Sequence, residues 1–281
     1  FAHWSYLESP CAASLADALV VLPAYAYSQR IDDPHRMYER AAAAAERALR
    51  LDPGLAEAHA ALGMAATYRY RWEEADESFR RALAGAPGYA TAHQWYALHL
   101  SAVGRLEDAV RHAERARALN PYAVAVTFDL ALVYYMARRY EAALRTVEEA
   151  SALSPGYVSD MTLRMSILEE MGRFGEAVES LDTFLRETAG EDVAREVVPR
   201  VRAAYRDGGA RGYYRAMARV TGEDAPHFLH ALYVIRAGEL DRAFRLLEGA
   251  VDRNEFQVVH LGVGPPMDPL RSDPRYQELL A

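Results

Sequence analysis

Two histidines, His227 and His230, stand closest in this chain to a metal site. On a helix, the i, i+3 spacing puts both imidazoles on one face, as the first two ligands of a zinc site require. No cysteine or carboxylate cluster nearby completes the set, so the pair reads as two partly exposed helix histidines. His93 and His99 flank Trp95 and Tyr96, a pattern suited to packing or partner contact rather than to proton transfer. The acidic pairs Glu73-Glu74, Glu148-Glu149 and Glu169-Glu170 have the groups for acid–base catalysis. Adjacent residues do not share a side of a helix, so these pairs read as solvated faces. The string GVGPP at 262–266 lacks the lysine and the strand–loop–helix context of a phosphate loop. Neither a Gly-x-Ser-x-Gly elbow nor a zinc-peptidase motif occurs. Cys11 is the single cysteine and cannot form an internal disulfide. It reads as a small buried apolar residue, not a nucleophile, and it fits a reducing cytosol without fixing the compartment.

Composition closes further routes. The 281 residues carry a net charge of -8, against nucleic acid or an anionic membrane as the main partner. Arg202, Arg206, Arg211 and Arg215 are interleaved with Tyr205, Tyr213 and Tyr214, a mix that can stack on bases. Long arginine stems lying over apolar surface explain the stretch better in so acidic a chain. All 32 basic residues are arginine. Schiff-base chemistry, pyridoxal phosphate anchoring and a Walker A lysine are therefore excluded, and no cofactor is implied. The absence of lysine and the wealth of alanine read as the codon bias of a GC-rich genome. No stretch reaches the roughly 20 apolar residues of a membrane span; ALVVLPAYAY at 18–27 is short and holds a proline. No signal peptide opens the chain, which starts at Phe1, so it reads as a piece of a longer cytoplasmic protein.

The elements that must position these residues announce themselves by period. Pro53, Pro87, Pro121 and Pro155 recur at a fixed step, as do Trp72, Leu106, Tyr140 and Phe174, and Ala75, Ala109, Ala143 and Ala177. A step of about 34 residues is that of a helix-turn-helix solenoid. Small residues at fixed places let helices approach, and large apolar ones fill the gaps around them. Gly104 and Gly172 end the first helix of their repeats, and the prolines end the second. The reading is an all-α, right-handed α-solenoid of stacked antiparallel helix pairs with a C-terminal capping region.

The repeat array is assigned to 1–191. An enlarged first repeat covers about 9–55, with a polar loop SQRIDDPHR that contains Pro34; repeats 56–89, 90–123, 124–157 and 158–191 follow. Residues 1–8 read as the tail of a helix. Residues 192–281 hold a degenerate helical pair broken at Gly208-Gly209, one further repeat-like pair at about 224–255, and a proline-punctuated cap.

The repeat AEAHAALGMAATYRYRWEEADESFRRALAGAPGY resembles the tetratricopeptide consensus. GYATAHQWYALHLSAVGRLEDAV and the closing GELDRAFRLLEGAVDRN…MDPLRSDPRYQELL are similar to the tetratricopeptide halves of large bacterial signalling proteins. There the repeats follow a winged-helix, class III adenylate cyclase or Ser/Thr kinase domain. This resemblance implies a non-enzymatic interaction scaffold in the regulatory or sensor part of such a protein. It also implies a concave groove lined by the first helices. By register, the groove positions fall on Tyr68, Gln94, Trp95, Phe128, Asp129, Tyr135, Thr162, Ser166 and Glu169. Aromatic and polar at one end and acidic at the other, they suit a neutral or basic protein or peptide segment. The arginines and asparagines of a carboxylate clamp are absent from these positions. Two other readings stand beside this one. Self-association into a homodimer would cover apolar seams left at the ends of the array. A stand-alone enzyme would need its site in 192–281.

Overall fold

Helix starts set the rhythm of the fold. The computed structural model describes residues 34–154, 158–222, 225–253 and 255–280, together with residues 13 and 17. Cys11, the segment 1–8 and, apart from those two residues, the first helix of the enlarged repeat lie outside the described residues. First helices begin at Ala56, Ala90, Val124 and Val158 and second helices at Trp72, Leu106, Tyr140 and Phe174, 34 residues apart at every step. No strand occurs among the described residues. The fold is all-α, an α-solenoid of helix pairs. Two compact units divide the chain, one ending at Pro121 and one starting at Tyr122.

In the first unit lie α1 (Pro34–Leu51), α2 (Ala56–Thr67), α3 (Trp72–Gly85), α4 (Ala90–Ala102) and α5 (Leu106–Leu119). Pro34 opens α1 and does not lie in a loop, as the sequence reading had it. At the first helical position its missing N–H costs nothing, because that donor has no partner in the helix anyway. Successive helices pack on one another, and α2 also packs on α4. The alanine comb forms the seams: Ala41, Ala45, Ala48, Ala75, Ala82, Ala109 and Ala116 are all fully buried. One seam is tighter still. A Cβ built on Gly63 would stand 2.9 Å from three atoms of the Phe79 ring, so the glycine makes room for the phenyl group.

The second unit holds α6 (Val124–Met136), α7 (Tyr140–Leu153), α8 (Val158–Glu170), α9 (Phe174–Thr188), α10 (Glu191–Thr221), α11 (His227–Arg236) and α12 (Leu240–Asp252). Short 3-10 turns at Phe256–His260 and Pro265–Leu270 lead to α13 (Pro274–Leu280). The second of these turns packs on α11, and α13 packs on α12. Met267, Leu270 and Tyr276 are buried there.

The turn between first and second helix repeats its geometry. Tyr70, Gly104, Arg138 and Gly172 occupy one register, and all four have positive φ (58°, 78°, 61° and 72°). Glycine takes this conformation without strain, whereas in other residues it costs about 1–2 kcal/mol. The two non-glycine residues put their side chains to use. Arg138 reaches Asp268 at 2.6 Å, and the Tyr70 ring packs edge-on against Trp72 with 5.6 Å between centroids.

α10 is two helical arms. Gly209 (φ 58°, ψ −151°) breaks it, at the Gly208-Gly209 pair where the sequence places the break. Three residues on, the arms touch: a Cβ on Gly212 would lie 2.1 Å from the Ala204 carbonyl oxygen. Gly212→Ala is therefore expected to prise the arms apart and cost about 1–3 kcal/mol in urea unfolding. Gly208→Ala is the control. Nothing lies within 4 Å of its added methyl, and it should be close to neutral.

Candidate functional site

The first unit carries three of the candidate groove residues. Tyr68 follows the last residue of α2 and stacks on Tyr38 of α1, with ring centroids 4.8 Å apart and planes within 6°. Gln94 is half-buried on α4. Trp95 beside it is only 5% exposed and belongs to the core, not to an open wall. His99, one turn on, is buried too, and its Nδ1 lies 3.0 Å from the Thr67 hydroxyl. Position in the repeat therefore does not by itself separate accessible residues from packing ones.

In the second unit, Phe128 and Asp129 are half-buried on α6, Thr162 is exposed on α8, and Ser166 is half-buried. The Ser166 hydroxyl donates to the Thr162 carbonyl at 3.1 Å. Tyr135 and Glu169, expected to face the groove, are buried, 5% and 4% exposed. Glu169 also corrects the reading of its pair as a solvated face. Both members sit at the end of a first helix, turned inward. By contrast, Glu73, Glu74, Glu148 and Glu149 are exposed on second helices, as that reading requires.

Around Glu169 a charged cluster is sealed among aromatic rings. The Tyr213 hydroxyl donates to Glu169 Oε1 at 2.7 Å. Arg236 at the end of α11 pairs with Glu170, and its guanidinium lies over the Tyr214 ring, 5.5 Å from the centroid. The positive charge of Arg236 also acts on the Tyr135 hydroxyl. One guanidinium thus serves two carboxylates. Burial pushes the Glu169 carboxyl up to about 7, and the attraction of Arg236 and the Tyr213 hydrogen bond offset only part of that rise. Burial likewise pushes the hydroxyls of Tyr135, Tyr213, Tyr214 and Tyr233 above the ordinary tyrosine range, so they stay neutral donors. The cluster joins α6, α8, α10 and α11, and its groups are committed to one another.

Other candidates resolve into structure. His230 is buried, with Nε2 3.2 Å from Arg242, while His227 Nδ1 faces Glu255 at 3.4 Å. The two imidazoles thus serve different neighbours. Among the described residues no group of three or more His, Cys, Asp or Glu side chains is placed to hold a metal ion. No described helix is long and apolar enough to cross a membrane. Tyr205, Tyr213 and Tyr214 gather round Phe174 with centroids 5.1 to 5.6 Å away, and Arg211 Nε donates to the Ala237 carbonyl at 2.9 Å. The basic and aromatic stretch serves packing.

Sequence reasoning passed over Arg236 and Glu255. Arg236 holds the same register place in its helix pair as Glu170 in its own, two residues before the turn glycine, and that correspondence was the available signal. Glu255 had none. Its carboxylate accepts the backbone N–H groups of His227 and Phe228, both at 2.9 Å, from 28 and 27 residues away. It caps the start of α11, where Pro226 offers no side-chain acceptor.

Residues 100–163 match the model of the tetratricopeptide repeat. A comparison with curated proteins finds no match. Among solved structures, a tetratricopeptide repeat protein from Parabacteroides merdae ATCC 43184 is similar at TM-score 0.58 and 15% identity, over 95% of this chain and 98% of that one. PilW, a widely conserved type IV pilus biogenesis factor, is similar at 0.56 and 17%, over 74% and 93%. A thermophilic tetratricopeptide protein of Thermus thermophilus is similar at 0.50 and 20%, over 66% and 97%. At such identities the likeness is one of fold. The chain has the fold of tetratricopeptide repeat proteins, and the repeat itself is matched at residues 100–163.

Proposed function

We propose that this chain is a non-enzymatic scaffold that binds a protein or peptide along the accessible faces of its first helices. In this reading it is the regulatory or sensor part of a cytoplasmic bacterial signalling protein. The observation that carries the binding role is the set of half-buried and exposed groove-register residues: Gln94 in the first unit, and Phe128, Asp129, Thr162 and Ser166 in the second. An aromatic ring beside a carboxylate on α6, with hydroxyls on α8, suits a neutral or basic segment. The ring supplies apolar contact and the carboxylate favours positive charge. The similarity of the closing GELDRAFRLLEGAVDRN…MDPLRSDPRYQELL to the tails of signalling proteins supports the regulatory role.

A panel of fluorescent peptides of basic, neutral and acidic composition tests this. Basic or neutral members should bind, and Phe128→Ala/Asp129→Asn should weaken them at least about tenfold, the loss of an aromatic anchor and a charge contact. Unchanged affinity in the folded variant, or a preference for acidic peptides, would remove the assignment.

A further inference from the structure

We propose that a notch in the first unit, between repeats 56–89 and 90–123, is a receptor for an organic cation of the size of an arginine or lysine head group. It is separate from the proposed groove and does not rest on it. The notch is a cavity of about 430 Å³ walled by Trp72, His99 and Val103, with Glu73, Asp76 and two arginines lining it. That volume lies within the range of roughly 300–1,000 Å³ typical of small-ligand sites.

The charges around it leave one uncommitted group. Asp76 accepts the Tyr96 hydroxyl at 2.6 Å and lies 2.8 Å from Arg80 and 3.2 Å from Arg105. Arg80 also faces Glu77 at 3.6 Å, and Arg105 grips Asp108 at 2.7 Å. Both guanidiniums lining the notch are thus held by carboxylates. Glu73 is exposed and has no partner among the described residues. The formal charges of the lining balance, and the one charged group without a partner among the described residues is the Glu73 carboxylate.

The wall adds two more attractions for a cation. His99 is 1% exposed. The Thr67 hydroxyl gives its single proton to the Gly63 carbonyl at 2.9 Å, so it must accept from His99 Nδ1–H. The proton therefore sits on Nδ1, and Nε2 keeps its lone pair with no partner among the described residues. Burial pushes His99 down to about 4, so the ring is neutral near pH 7. Trp72 presents an indole, the ring with the strongest pull on cations. Its orientation is fixed by Tyr70, which holds a left-handed backbone where Gly104 and Gly172 stand in other repeats. A π face, a lone-pair acceptor and a carboxylate without a partner each draw a cation, while the two guanidiniums that would draw an anion are held by Asp76, Glu77 and Asp108.

The test is an NMR titration of the whole chain with N-acetyl-argininamide, read at the Trp72 indole N–H and the His99 ring. The expected result is a saturable shift of both signals at millimolar probe, with none from the uncharged isostere N-acetyl-citrullinamide. Glu73 is exposed, so Glu73→Gln should fold normally; it should weaken binding roughly fivefold, and Trp72→Leu roughly tenfold. The groove variant Phe128→Ala/Asp129→Asn should bind the probe as the parent does, which separates the two sites. Silent Trp72 and His99 signals, equal binding of the citrulline probe, binding of N-acetylglutamate in its place, or an unaffected Glu73→Gln variant would each overturn the assignment.

Discussion

Replacing Arg236 by methionine is expected to cost about 3–5 kcal/mol of unfolding free energy at neutral pH, the usual loss when one member of a buried ion pair is removed. The volume of the side chain is largely kept, so the effect reports charge and not a cavity. Arg236 and Glu170 are 11% and 18% exposed, and Glu169 is 4% exposed. Without the guanidinium, two buried carboxyls lose their common counter-charge. Tyr214 loses the cation over its ring. The loss should shrink toward acid, where the Glu169 carboxyl is protonated and needs no partner. Urea unfolding of the parent, Arg236→Met and Arg236→Met/Glu170→Gln, each at pH 5 and pH 8, checks this. The double variant should recover part of the loss, because it no longer buries an unpaired carboxylate beside Glu169. A single variant within 1 kcal/mol of the parent at pH 8 would mean that the pair is solvated and that the cluster does not hold α8 to α11.

What the sequence disclosed and what it hid divide along physical lines. A comb of Ala75, Ala109, Ala143 and Ala177 can be read because a seam tolerates only small side chains, and all four are fully buried. The turns after the first helices were legible at Gly104 and Gly172 but not at Tyr70 and Arg138, where a local strain is offset by contacts to residues elsewhere. The register of the first helices was legible, and the exposure of its residues was not. Phe128 and Trp95 occupy neighbouring positions of the repeat, yet one is half-buried and the other is core. Burial depends on what the next helices bring, and that information is not local. Glu169 makes the point most sharply: its sequence neighbours suggest a solvated acidic pair, while its partners Tyr213 and Arg236 lie 44 and 67 residues away. Glu255 at the start of α11 is hidden for the same reason, a cap supplied from beyond the following helix.

Glu169→Gln is expected to stabilise the chain, and only above the acid range. The folded carboxyl titrates at about 7 against 4.5 for the free group, so the fold favours the protonated form. Between those values the folded chain binds more protons than the unfolded one, and stability falls as pH rises. The cost is absent below about pH 4.5 and complete above about pH 7, where the shift corresponds to roughly 3 kcal/mol. Glutamine keeps an acceptor for the Tyr213 hydroxyl and carries no charge, so it should remove that cost. The variant and parent should coincide near pH 4.5 and diverge by about 3 kcal/mol at pH 8 in urea unfolding. The difference between them is the quantity to read, because other buried groups titrate in the same window. Asp17 is pushed up to about 6 by burial and acts in the same sense as Glu169, while His99 and His260, pushed down to about 4 by burial, lose stability toward acid. Those contributions are common to both proteins and cancel. A variant no more stable than the parent at pH 8 would mean that the fold carries no net cost for the ionised Glu169 carboxylate, the attraction of Arg236 and the Tyr213 hydrogen bond offsetting its burial in full.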